Sequence, residues 1–276
     1  VAGQYIGQRQ KEDACNAGQQ LIALLGAVSI FFVALLYLFR TQILTVMFGH
    51  IEPDVMAATN TYYLYVMASI PGIALFYAGM VRKKNILSTL AQSVAICMVA
   101  SLLWWIVGYS LAFAEGTNFV GGLSKAFFSG IGIDTVSGTI PEVLFIFFQM
   151  TFAVLTPALI VGSWAERMKF SALLVFTVFW SLLVYAPICH WVWASDGYFF
   201  KLGALDYAGG TVVHINAGIA GLVGCIMLGK RNGYGSQAMT PANLTYAMLG
   251  ASVLWFGWMG FNGGSGLAAN ARAAMA

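Results

Sequence analysis

The chain of 276 residues is 60% hydrophobic and 8% charged, with a mean hydropathy of +0.81 and a formal net charge of +3. Soluble domains average about a quarter charged residues, so this composition excludes a soluble globular protein. It describes an all-α polytopic membrane protein, in which each backbone polar group is satisfied within a helix. The small positive charge sits mostly in loops and excludes a nucleic-acid partner.

Seven apolar stretches occur in order, at residues 21–39, 58–81, 88–114, 143–164, 170–193, 209–229 and 243–268. Each reaches or approaches the ~20 residues needed to span hydrocarbon. Lys and Arg alternate unevenly between the connections, nine on one side against four on the other. The richer side is then cytoplasmic, with the N-terminus inside and the segments 115–142 and 194–207 outside. No basic region leads into a short apolar core after Val1, so no signal peptide is expected. Cys15, Cys97, Cys189 and Cys225 are scattered, three of them in apolar spans, and form neither a disulfide framework nor a metal set.

Residues 1 to about 70 differ from the remainder. The run Gly3-Gln-Tyr-Ile-Gly-Gln-Arg-Gln-Lys-Glu-Asp-Ala-Cys-Asn-Ala-Gly18, one apolar stretch, and the polar turn Phe48-Gly-His-Ile-Glu-Pro-Asp54 together resemble a segment of the multidrug and toxic compound extrusion (MATE) family. A single helix with flanking loops cannot form an extrusion pathway. The expected division is 1–70, with one transmembrane helix, and 71–276.

Phe76-Tyr-Ala-Gly-Met-Val-Arg-Lys-Lys-Asn85 ends one span in a basic turn, and Gly108-Tyr-Ser-Leu-Ala-Phe-Ala-Glu115 ends the next. Glu115 reads equally as a cation-attracting group or a solvated loop carboxylate. The segment 116–142, rich in Gly, Ser and Thr, reads as an external loop with Pro141 near a helix start. Phe148-Gln-Met-Thr-Phe152 places two phenyl rings one turn apart. Ala165-Glu-Arg-Met-Lys169 is a tight turn in which Glu166 pairs or caps. Tyr185-Ala-Pro-Ile-Cys-His190-Trp-Val-Trp193 closes the next span; His190 reads as a packing residue, and Trp suits a membrane interface. The last span carries Trp255-Phe-Gly-Trp-Met-Gly-Phe261-Asn-Gly-Gly-Ser265.

The stretch 209–229 is the most informative, because a histidine and an asparagine lie at membrane depth within it. Gly210, Ala217, Gly218 and Gly221 lie three, four or seven positions from His214. On a regular helix they share its face and admit a neighbouring backbone, so His214 is expected to point into the bundle or a cavity. Asp206 stands where a carboxylate would accept from the first-turn amides. Lys230 and Arg231 suit the other end.

The 26 positions from Asp206-Tyr-Ala-Gly-Gly-Thr-Val-Val-His214-Ile-Asn-Ala-Gly to Gly-Lys-Arg231 resemble the signature segment of the ammonium transporter (Amt/Mep/Rh) family, and the likeness runs from about residue 70 to Ala276. The resemblance implies a multi-pass protein of the cell membrane that moves ammonium or ammonia through a homotrimer with one pore per subunit. It implies an outer cation site at Trp193, Phe152 and Ser265, a gate of phenyl rings at Phe148, Phe152 and Phe261, and a lumen lined by His214. It places the chain as the first half of an inverted-repeat bundle plus the first helix of the second repeat, with one extra N-terminal helix. The second lumen histidine is then missing, as is any tail for a PII-type regulatory partner, and the chain alone is expected not to conduct.

A membrane ammonium sensor of the same fold and a drug/cation antiporter fragment are the alternatives. No nucleophile–base pair, metal-spaced cluster or phosphate loop argues for an enzyme, a cofactor or a metal.

Overall fold

A computed structural model describes residues 38, 39, 42 and 69–276 except 133 and 269. The chain divides into two compact units, Val1–Asn60 and Thr61–Ala276, and the helices of the second unit make up the described fold. The first expected span and the segment resembling the MATE family lie outside the described residues.

Five described helices are long and apolar enough to cross a membrane: α2 (Lys83–Phe113), α3 (Glu142–Trp164), α4 (Phe170–Lys201), α5 (Gly210–Leu228) and α6 (Leu244–Gly264). They are preceded by the shorter apolar helix α1 (Ser69–Met80) and followed by a terminal turn, α7 (Ala271–Met275). Of the seven expected spans, six thus have a described counterpart. Asn243 starts α6 by accepting from the Tyr246 amide at 3.2 Å, and Asn270 does the same for α7 with Ala273. These are side-chain caps for amides that lack an intrahelical acceptor.

α3 is the axis of the bundle. It is buried along most of its length, and it packs against α2 on one side and α5 on another, while α2 and α4 cover each other. The α3–α5 contact depends on a small residue: a Cβ on Gly221 would collide with the Ser163 side chain. α1 and α6 cross just as closely. A Cβ on Gly72 would stand 2.6 Å from the Leu254 backbone nitrogen, and one on Gly79 2.5 Å from that of Ala247. Without a hydrophobic drive between helices in lipid, such backbone approach supplies the dispersion contact that holds them.

Three of the helices are not regular. π turns interrupt α2 at Trp104–Gly108 and α4 at Ser181–Tyr185, and α5 opens with one at Gly210–Ile215. Each widens the helix locally and resets the phase of the residues beyond it. The segment 116–142 is also more ordered than expected. It holds a 3-10 turn at Ala126–Phe128 and a small antiparallel hairpin, β1 (Val136–Ser137) with β2 (Ile140–Pro141), in the register Val136 to Pro141.

The connections gather at two ends, matching the alternation read from charge. At one end Glu166, its side chain fully buried, accepts from the Arg82 amide at 2.7 Å and its Nε at 2.8 Å. The Arg82 guanidinium also reaches the Asn232 carbonyl. Burial pushes the Glu166 carboxyl upward, but hydrogen bonds from the Asn85 side chain and from Arg82 outweigh it and hold the group below the usual carboxylate range.

At the opposite end the Tyr198 amide donates to the Asn118 carbonyl, and Lys201 Nζ donates to the Asn118 side chain at 2.7 Å. Buried Glu142, the first residue of α3, takes Lys125 Nζ at 2.5 Å and the Tyr109 hydroxyl at 2.7 Å. His190 is fully buried, and its ring nitrogens lie 2.9 and 2.8 Å from the carbonyl oxygens of Ala112 and Thr117.

Candidate functional site

At this second end, four helices bring aromatic rings into one continuous file. From α3, Phe148 meets Phe152 with ring centroids 5.0 Å apart. Phe152 then touches Trp193 of α4 at 5.1 Å and Phe261 of α6 at 4.8 Å. Phe261 meets Trp258 one turn earlier at 5.1 Å, and Trp258 meets His214 of α5 at 5.4 Å. Phe152 and Phe261 are each 1% exposed, so their rings are a packed plug and not an open vestibule. Edge and tilted ring pairs of this kind contribute ~0.5–1.5 kcal/mol each beyond burial.

Trp193 is held by its far edge. Its Nε1–H donates to the Asp206 carbonyl at 2.9 Å, which fixes the ring plane and leaves the π face unengaged by hydrogen bonds. The same Asp206 accepts four amides through its side chain: Gly209 at 2.7 Å and Gly210 at 2.8 Å on one oxygen, Thr211 at 2.8 Å and Val212 at 2.9 Å on the other. Those are the donors at the start of α5 that have no carbonyl behind them, and the anion also suits the helix dipole. Gly209 sits at φ +100°, and a Cβ there would run into the Val213 side chain. One residue thus anchors both the indole and the helix that carries His214.

Ser265 caps the end of α6. Its hydroxyl donates to the Phe261 carbonyl at 2.8 Å, so the oxygen lone pairs are what the hydroxyl can still offer to a donor.

His214 departs from the helical-spacing expectation. Ala217 and Gly221 face α3, but His214 and Gly218 do not share that contact: His214 is exposed on this chain, with Trp258 against one side of its ring, and Gly218 adjoins open space. The cause is the π turn, in which the His214 amide bonds back five residues to Gly209. A 3.6-residue period therefore does not carry the face of His214 onto Ala217 and Gly221. Asn216, the other polar residue at this depth, is satisfied within its own helix by the Val212 carbonyl at 3.2 Å.

Trp258 lies inside the run 255–265 read from the sequence but is assigned no role there, although its spacing of three from both Trp255 and Phe261 marks one aromatic stripe. The Tyr109–Glu142–Lys125 cluster likewise has no sequence signal, because its members are far apart along the chain. Among the described residues, no group of three or more His, Cys, Asp or Glu side chains could hold a metal ion.

The model of the Ammonium Transporter Family matches residues 57–276. The chain belongs to the ammonium transporter family. It is a multi-pass protein of the cell membrane. A second family model, MatE, matches residues 1–103 and overlaps the first over α1 and much of α2.

Over 206 residues the chain is 53% identical to the ammonium transporter of Bacillus subtilis (strain 168), covering 74% of this chain and 50% of that one. The solved structure of Saccharomyces cerevisiae Mep2 superposes with a TM-score of 0.72 at 39% identity, covering 84% of this chain and 52% of that one. A solved "Sensor Amt Protein" gives a TM-score of 0.69 at 30% identity over 78% of this chain and 55% of its own. The chain spans about half the length of the curated ammonium transporters it matches.

Proposed function

We propose that this chain supplies one half of an ammonium/ammonia pathway, with Trp193, Phe152 and Ser265 as the outer cation site, Phe148, Phe152 and Phe261 as the gate, and His214 lining the lumen. The observation that carries this reading is the unbroken file of rings from Trp193 through Phe152, Phe261 and Trp258 to His214.

An ammonium ion leaving water needs compensation, and an indole or phenyl face offers ~0.5–2 kcal/mol. The Ser265 oxygen accepts one N–H. Alkali ions have no N–H, and selectivity follows from that difference. Beyond the plug an intact cation would meet an apolar interior at high cost, so there the ion passes its proton to the unprotonated ring nitrogen of His214 and continues as neutral ammonia. His214 suits that step because a neutral imidazole both donates and accepts.

The open side of His214 is where the second repeat of a longer protein would close the lumen, as transporter sites form between repeats. In this reading the 276-residue chain alone does not conduct. This reading includes a homotrimer, a PII-type partner only where a C-terminal tail is present, and a role as a transporter and not as an enzyme. The same reading divides the chain into a MATE-like segment, 1–70, and a partial ammonium transporter domain, 71–276. The start of the second compact unit at Thr61 and of the family match at residue 57 support a change of character ahead of residue 71. The likeness to the "Sensor Amt Protein" keeps an ammonium sensor as the second reading.

The test is methylammonium uptake in a transporter-null cell. The chain alone should give none. The chain joined to the second half of the Bacillus subtilis relative should restore uptake, and Trp193→Leu in that fusion should raise the half-saturation concentration by roughly 2- to 30-fold. A correctly inserted fusion that takes up nothing, or a Trp193→Leu variant identical to its parent, refutes the reading.

A further inference from the structure

Two parts of the proposed cation site stand on helices whose backbones make little contact: Phe152 on α3, and Ser265 at the end of α6. Phe152 meets Phe261, but that ring contact lies one turn before Ser265. The small hairpin of β1 and β2 spans the remaining distance. Its root is fixed on α3, where the Glu142 amide donates to the Thr135 carbonyl at 2.8 Å and the Glu142 carboxylate takes Lys125 and Tyr109. Ile140 packs on the core beside it. Gly138, at φ +61°, supplies the left-handed first position of the two-residue turn that this register requires. The second turn residue is Thr139. Its hydroxyl donates to the Leu267 carbonyl at 2.7 Å, across 128 positions of sequence.

On the α6 side, Ser265 lies just before Leu267 in a tight tail. The amides of Ser265, Gly266 and Leu267 donate to the carbonyls of Phe261, Gly263 and Gly264, so the three residues move as one piece. Leu267 is held at φ +49°, a left-handed conformation that is unfavourable for a residue with a Cβ. Such a conformation persists where its surroundings fix it. Here the Leu267 side chain packs on the core and its carbonyl takes Thr139.

We propose that Thr139 is a positioning residue for the outer cation site: the hairpin is a strut that carries the location of α3 to the end of α6 and sets where the Ser265 hydroxyl stands relative to Phe152 and Trp193. The inference rests on the pathway reading, because it needs Ser265 to accept an N–H of the cation. Thr139 itself touches no cation. Its effect therefore falls on the half-saturation concentration and not on the steps beyond the plug, and it runs through Ser265.

The test is methylammonium uptake by the fusion to the second half of the Bacillus subtilis relative, read as half-saturation concentration and maximal rate. Thr139→Val keeps the shape and removes one neutral hydrogen bond, so it should raise half-saturation about 2- to 10-fold with the maximal rate unchanged. Thr139→Ser should restore the parent value. In a Ser265→Ala background the valine should add nothing, as expected of residues that act as a unit. Thr139 is exposed, so the valine variant should fold, and a thermal melt in detergent checks it. A general loosening of the fold would instead lower the maximal rate and act equally in the Ser265→Ala background, which overturns the proposal. Parental half-saturation in Thr139→Val, where Trp193→Leu and Ser265→Ala both raise it, overturns the strut and leaves the pathway reading standing. A fusion without uptake, or a Ser265→Ala variant that matches its parent, removes the serine site and the strut with it.

Discussion

Asp206→Ala removes the acceptor of four amides at once, and the structure indicates which of them water can rescue. Gly210 is exposed, so its N–H can turn to solvent, and half-buried Thr211 can do the same. Gly209 and Val212 are buried, and the side-chain oxygens of Asp206 are their acceptors. A helix cap is usually worth about 1 kcal/mol, but a hydrogen bond to a charged acceptor contributes ~1.5–3 kcal/mol. With two amides rehydrated and two stranded, the loss is about 3–6 kcal/mol. Asp206→Asn keeps one oxygen and turns an NH₂ toward donors, so it should fall between the wild type and the alanine variant. Unfolding can be followed in detergent with a thiol-reactive dye, since Cys189 is fully buried in the folded chain and becomes reactive only when α4 opens. The expected order of melting temperature is wild type, asparagine, alanine. An alanine variant that melts with the wild type would mean that the start of α5 is held by something other than this carboxylate, and the positioning of Trp193 through the same residue would lose its basis.

Gly250→Ala should destabilise the chain by about 1–3 kcal/mol or more, because the added Cβ would meet the Phe76 backbone, which has no rotamer with which to yield; a thermal melt against the wild type checks it. The Glu166 carboxyl, held below the usual range, stabilises fully above the ordinary carboxylate pKa of about 4.3 and loses that contribution as pH falls through its lower folded value. Melts between roughly pH 6 and pH 3 should show an acid loss in the wild type that Glu166→Gln lacks, and parallel curves would contradict the assignment. His190→Ala leaves the Ala112 and Thr117 carbonyls without the ring and opens a cavity, at about 2–4 kcal/mol. Limited proteolysis should then cut within 115–121 sooner than in the wild type.

Much of the bundle was legible in the sequence because hydrocarbon permits few alternatives. Apolar runs of spanning length fold as helices, and the unequal Lys and Arg counts assign their ends. The clasp of Arg82 on Glu166 and the grouping of Asn118, Thr117 and Asp206 at the far end agree with that alternation. The pairing of Phe148 with Phe152, and the capping by Asp206, were legible too, because partners one turn apart or at a helix start are fixed by local geometry.

Chain order by itself determined which segments span, which end each presents, and which local residues carry polarity at depth. Tertiary structure alone decided the rest. The π turn of α5 turned His214 away from the α3 contact, since an i-to-i−5 bond is selected by packing between helices and leaves no mark in a 3.6-residue pattern. Packing also made Trp258 the link between Phe261 and His214, and it stood the Trp193 indole on the Asp206 carbonyl. Most of these contacts join residues from different helices, and their distances are set by how closely glycines such as Gly72, Gly221 and Gly250 let the backbones approach.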